Sequence, residues 1–304
     1  MDKMPVIQLD GVTKAFKDTV VIRDLSFSIS RGEIVGLLGP NGSGKTTTVR
    51  LINGVLAPSN GRIRVFEQDP MDESTDVRAR TGVLTESAGL YGDMTAEQNL
   101  AFFARIYGVS KPESRIYELL RQFGLEEHRN HKVETFSTGM TKRLGIAKAL
   151  IHQPEVLFLD EPTTSLDPEA SRDLLGYIRE LNKKDNVTVV LATHLLKEVQ
   201  DLCHRFLFLH EGRLIETGTL RELADKYMQS FKVRVETDLI LETSNYHGYR
   251  LDRMEPWFLT FLVETKEQIP MLLRRLLQDA PIYSAEILER DLETLYFNVR
   301  RRLL

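Results

Sequence analysis

The run Gly39-Pro40-Asn41-Gly42-Ser43-Gly44-Lys45-Thr46 follows the pattern G-x-x-x-x-G-K-[ST], which belongs at a strand–turn–helix corner. Its glycines let the backbone fold with N–H groups facing inward, a nest for phosphate oxygens at the start of a helix. Lys45 supplies a compact charge for the β- and γ-phosphates, and the Thr46 hydroxyl a ligand for Mg²⁺. The flanks agree. Glu33–Leu38 is a short apolar run bounded by glycines, as in a strand buried on both faces. The segment after the loop reads as a helix stopping at Gly54, a natural left-handed cap. Gly39, Asn41, Gly42, Ser43, Gly44, Lys45, Thr46 and Thr47 are the candidate phosphate-binding residues.

Chemistry on a triphosphate needs a second carboxylate site to hold the metal and activate water. Val156-Leu-Phe-Leu-Asp160-Glu161 is an apolar strand ending in two acids. Beside a phosphate loop, Asp160 becomes the Mg²⁺ partner and Glu161 the general base.

Short strands and helices alternate to about residue 225, the α/β pattern. Leu25, Phe27 and Ile29 alternate with serines as in a strand with one wet face. Helical pattern fills Thr95–His152: Thr95-Ala-Glu-Gln98 and Ser110-Lys-Pro-Glu113 read as capping boxes, with Gly108 and Gly124 as stops. Asp167 and Pro168 start another helix as N-cap and first residue. Thr188–Ala192 is a strand, Leu195–Cys203 a helix and Arg205–His210 a strand, and Thr219-Leu-Arg-Glu222 is a third capping box. After about Tyr227 the character changes to a small α+β unit. Phe231, Val233 and Val235 alternate, as do Trp257, Leu259, Phe261 and Val263; helices are expected at Ile269–Gln278 and Leu292–Leu303, with a strand at Ile282–Leu288 between them.

Composition bounds the function. Forty Lys and Arg against 44 Asp and Glu give a net charge of −4, which removes the global electrostatic argument for nucleic acid. No apolar run approaches the length of a membrane span. One cysteine, Cys203, excludes a disulfide framework and any metal site built on several cysteines. The N-terminus has no signal-peptide core, so a cytosolic location is expected.

Over about residues 5–225 the chain resembles the ATP-binding cassette family of transporter ATPases. Phe136-Ser137-Thr138-Gly139-Met140 is similar to the family's signature loop, with the nucleotide-touching Ser137 and Gly139 kept and the usual Gly and Gln replaced by Thr138 and Met140. Ser165-Leu166-Asp167 resembles the D-loop, His194 falls at the switch histidine that contacts the γ-phosphate, and Phe16 at the aromatic that stacks on adenine. The family's metal-contacting Gln after the third core strand is absent, and Glu86 best occupies its position. The resemblance implies an α/β P-loop NTPase cassette at 5–227, with a RecA-like core, an antiparallel β subdomain and a helical subdomain near 90–150. A C-terminal accessory α+β domain would span 228–304.

The same resemblance implies ATP and Mg²⁺ as cofactors and a second copy of the chain, or a paralogous cassette, as partner. Each ATP would lie between Lys45 and Thr46 of one chain and Ser137 and Gly139 of the other. A separate multi-span permease completes the assembly at the cytoplasmic face of the membrane, and no nucleic acid is expected. Leu90–Thr95 with Asn99-Leu100, and the C-terminal unit itself, resemble exporter cassettes encoded apart from their permeases. The competing reading is a soluble cassette protein that clamps a ribosome or DNA. A single phosphate loop and a segment between Gly54 and Phe136 too short for a long coiled-coil insertion argue against it.

Overall fold

The computed structural model describes residues 5–72, 74–85, 87–228, 230–241, 243–288 and 291–303. The chain divides into two compact units, Met1–Thr219 and Leu220–Leu304.

The first unit runs β1 (Pro5–Phe16), β2 (Thr19–Ser30), β3 (Ile34–Leu38), α1 (Lys45–Ile52), β4 (Asn60–Val65), α2 (Ser74–Ala79), β5 (Thr81–Leu84), α3 (Ala96–Ile106) and α4 (Glu113–Gln122). It continues through α5 (Thr138–Ala149), β6 (Val156–Asp160), α6 (Pro168–Asp185), β7 (Thr188–Thr193), α7 (Leu196–Val199), β8 (Arg205–His210) and β9 (Arg213–Gly218). Two sheets form: a six-stranded one in the order β5-β6-β7-β3-β8-β9 and an antiparallel three-stranded one in the order β2-β1-β4. From β5 to β8 the large sheet is parallel, and every residue of β3, β6 and β7 is buried. Parallel strands covered on both faces need continuous apolar runs, which these are. A shared core joins Ile7, Leu9, Ile22 and Leu25 of the small sheet to Val35, Leu37, Phe158 and Val190 of the large one.

Local chemistry sets most helix ends. Thr95 and Gln98 form the reciprocal capping box of α3, and Asp167 caps α6 with Pro168 at its first position. Gly54, Gly108 and Gly124 follow α1, α3 and α4 at φ 63, 65 and 63°. The box expected at Ser110 does not form: Lys111 takes φ 51°, and α4 starts after Pro112 with no side-chain cap. A residue before proline is disfavoured in the helical region, so Lys111 cannot be the first helical residue. The helix expected over Leu195–Cys203 is the four-residue α7: Leu195 sits outside helical space while its N–H donates to the Thr193 hydroxyl, and beyond Val199 the chain closes in a turn, with the Leu202 and Cys203 N–H groups both donating to Val199 O.

The second unit comprises α8 (Leu220–Tyr227), β10 (Phe231–Thr237), β11 (Asn245–Tyr246), β12 (Tyr249–Glu255), β13 (Phe258–Val263), α9 (Gln268–Asp279), β14 (Ile282–Leu288) and α10 (Leu292–Leu303). Its antiparallel sheet has the order β11-β12-β13-β10-β14. Val233 lies opposite Phe261 and Val235 opposite Leu259, and this apolar face packs with Ile269, Leu272 and Leu276 of α9. Trp257, expected on that face, is 64% exposed. Pro256 and Trp257 are the central residues of a tight hairpin turn between β12 and β13, with Trp257 at φ 68°. The turn takes Trp257 out of the strand's alternation.

Candidate active site

Ligands of open parallel sheets bind beyond the carboxyl ends of the strands, where the strand order reverses. Here β6, β7 and β3 are consecutive, with Asp160 opposite Ala192 and Leu38 opposite Thr193. That register delivers three segments to one edge: the glycine loop after β3, Asp160-Glu161 at the end of β6, and Thr193-His194 at the end of β7.

The loop from Gly39 to Lys45 turns on Gly42 at φ 79° and Gly44 at φ 105°, conformations that residues with a Cβ rarely adopt. Asn41 and Gly42 are exposed, whereas Ser43, Gly44 and Lys45 are buried. The Ser43 hydroxyl is enclosed and has no hydrogen-bond partner among the described residues. Lys45 opens α1 and folds back, its Nζ donating to Gly39 O at 2.9 Å and Pro40 O at 3.4 Å. Thr46 Oγ1 donates to Asp160 Oδ2 at 2.8 Å, and Thr47 follows half-buried in the first turn. A hydroxyl and a carboxylate oxygen so close form the hard-oxygen donor set that Mg²⁺ prefers, so these residues fit the cation.

Glu161 is the most constrained residue of the site. Its φ of 49° is left-handed, a strain of about 1–3 kcal/mol that persists only where the surroundings impose it. Its N–H donates to Ala192 O at 2.8 Å, and its carbonyl accepts from Lys142 Nζ at 3.0 Å. Oε1 accepts from His194 Nδ1 at 2.9 Å and lies 3.4 Å from Lys45 Nζ; Oε2 accepts from Thr193 and Thr164 hydroxyls at 3.0 and 3.2 Å. Burial pushes the carboxyl upward, but the His194 bond, the Lys45 charge and the Thr193 hydroxyl outweigh it and hold Glu161 below the usual carboxylate range. An ionised carboxylate only accepts, so His194 carries its hydrogen on Nδ1.

The remaining candidates occupy other surfaces. Ser137 is the N-cap of α5, its Oγ accepting from Met140 N–H at 3.2 Å, and both Ser137 and Thr138 are exposed. A Cβ on Gly139 would meet nothing nearer than 3.8 Å. Among the described residues no hydrogen bond joins Ser137 or Gly139 to residues 39–47. Asp167 Oδ1 accepts from the N–H groups of Glu169 and Ala170. Phe16 ends β1, 44% exposed, with Lys14 Nζ 5.0 Å from its ring centre. Glu86 lies outside the described residues.

Sequence reasoning missed Lys142, Thr164 and Thr193, which hold Glu161. Only Thr193, a hydroxyl ending an apolar strand beside His194, carried a readable signal. It also left Asn99 without a reason. Asn99 is fully buried, accepts from Tyr91 N–H at 2.8 Å and donates to the carbonyls of Tyr91 and Thr95 at 3.0 Å each, so it folds the segment before α3.

A phosphate loop abutting an acid-tipped core strand defines a P-loop NTPase. The profile of the ABC transporter family matches residues 22–164. The chain is 40% identical over 225 residues to the ABC transporter ATP-binding protein NatA of Bacillus subtilis, spanning 72% of this chain and 91% of that protein. It is also 40% identical over 214 residues to the Nod factor export ATP-binding protein I of Paraburkholderia xenovorans, spanning 70% of each. A dimeric ATP-binding cassette in a post-hydrolysis state, bound to ADP and Pi, matches with a TM-score of 0.64 at 27% identity, over 71% of this chain and 99% of that one. The chain belongs to the ABC transporter family, as an ATP-binding and ATP-hydrolysing subunit, and not to the soluble clamps of ribosomes or DNA. No described helix is long and apolar enough to cross a membrane.

Proposed function

We propose that two copies of this chain, or this chain and a paralogue, pair head to tail and power an exporter whose permease is a separate polypeptide. The first unit does the nucleotide work and the second is an accessory unit. The observation that carries the reading is the fully engaged carboxylate of Glu161, whose Oε1 faces Lys45 and His194.

Incoming triphosphate offers the same cation and the same imidazole a stronger acceptor. As Lys45 and His194 turn to the β- and γ-phosphates, Oε1 is released while Thr193 and Thr164 keep Oε2 in place. The freed oxygen takes a proton from the attacking water, with His194 against the γ-phosphate. Asp160 and Thr46 would hold Mg²⁺, which when bound neutralises charge on the phosphates, and Phe16 stacks on the adenine.

Ser137 and Gly139 complete the site from the partner chain. Nothing among the described residues excludes a Cβ at Gly139, so the bare backbone there serves a contact from outside. Hydrolysis then removes the bridging phosphate and the pair loosens, a two-state motion available to a permease at the cytoplasmic face of the membrane. Glu161→Gln tests the base: it should bind ATP and accumulate as a closed pair, with turnover lower by ~10²- to 10⁴-fold. Parental turnover would refute the assignment.

A further inference from the structure

Helix α5 begins at the signature loop, yet its long cations reach away from it. Lys142 Nζ donates to Glu161 O at 3.0 Å, Arg143 to Phe123 O at 3.2 Å and Lys148 Nζ to Ala88 O at 2.5 Å. One helix is thereby fastened to the catalytic corner, to the end of α4 and to the segment after β5. Lys142 is 6% exposed. Burying an ammonium is costly unless charge or hydrogen bonds compensate, so its bond to a catalytic main-chain carbonyl is a specific feature. The bond falls where the backbone is left-handed, at the φ of 49°.

Resting on the head-to-tail reading, we infer that Lys142 is a positioning residue that couples the two nucleotide sites of the pair. In that arrangement the N-terminus of α5 receives the nucleotide bound by the partner's phosphate loop. Glu161 of the same chain acts on the nucleotide in its own loop. Lys142, a little over one helical turn from Ser137, therefore lies on the route from one nucleotide to the base of the other. Seating α5 on the far nucleotide fixes the Glu161 main chain, and through it the direction of the carboxylate. Displacing a reacting group by about 1 Å can cost ~10²-fold in rate, so a small shift of α5 is enough to gate hydrolysis.

The test uses the full chain with Mg²⁺ and ATP, following turnover against ATP concentration and pairing by sedimentation in the same samples. The parental chain should show sigmoidal turnover. Lys142→Met should pair normally, bind ATP with parental affinity, lose the sigmoid and lose ~10- to 100-fold in kcat. Lys142→Arg, which keeps a donor able to reach the same carbonyl, should restore both. If Lys142→Met does not fold by its thermal transition, Lys142→Leu, likewise without a donor, is measured in its place with the same expectation. A variant that pairs and hydrolyses with parental kcat and sigmoid overturns the role of Lys142, as does a hyperbolic parental curve. Failure of the parental chain to pair strikes the head-to-tail reading itself, and the coupling falls with it.

Discussion

At the scale of single residues, Glu161 is kept charged in a half-buried corner. Burial works against ionisation, and His194, Lys45 and Thr193 together reverse it. A carboxyl depressed in the folded state contributes its full stabilisation above its unfolded pKa and loses it as pH falls through the folded value. The thermal midpoint of the nucleotide-free parental chain should therefore exceed that of Glu161→Gln at neutral pH, and the gap should close in acid below the usual carboxylate range. Calorimetry across pH checks this, and a gap that widens in acid would contradict it. Asn99 makes a second residue-scale case. Asn99→Leu removes the part-buried side-chain bonds to the backbone of Tyr91 and Thr95, and urea unfolding should register a loss of about 1–3 kcal/mol. Lys45, Thr46, Asp160 and Glu161, which the fold brings to one edge, were legible in the sequence because their spacing follows from the chemistry of a triphosphate. Thr164 and Lys142 were not, because a lone threonine or helix lysine reveals its partner only once the chain has folded.

At the scale of elements, α5 and α6 separate structural from functional demands. Asp167 accepts two backbone N–H bonds at the start of α6, so Asp167→Ala should cost about 1 kcal/mol of stability. Gly139 behaves oppositely: the folded chain has room for a methyl group there, and alanine is the better helix former. Gly139→Ala should melt no lower than the parental protein while its turnover falls by about tenfold or more. Paired melting and ATPase curves decide it, and a variant that melts lower but turns over normally would contradict the argument. Strands buried on both faces were readable because an uninterrupted apolar run of that length has few other uses. The readings that failed at Ser110 and Trp257 each turned on one backbone torsion. A proline neighbour or a tight turn set that torsion, and side-chain periodicity does not report it.

At the scale of the whole molecule, two cores imply two tasks. The first unit carries the register that assembles the site, and the second carries a sheet whose outer strand β14 is blunted by exposed Glu286 and by a bulge opposite Glu236-Thr237. Both are devices that discourage edge-to-edge pairing. Sequence alone exposed the change of character near Tyr227 but not the grouping of α8 with the C-terminal unit. That boundary depends on packing and not on composition. The most direct test of composite sites is complementation between two inactive chains. Lys45→Ala lacks a working phosphate loop and Gly139→Trp a working signature loop, yet a mixed pair retains one complete site formed from both chains. Mixing the two proteins should raise ATPase activity above the level either shows alone, at a rate ~10- to 100-fold below a parental site because the second site stays unfilled; activity that stays at background after mixing, with both chains folded and Gly139→Trp still binding ATP, would contradict composite sites.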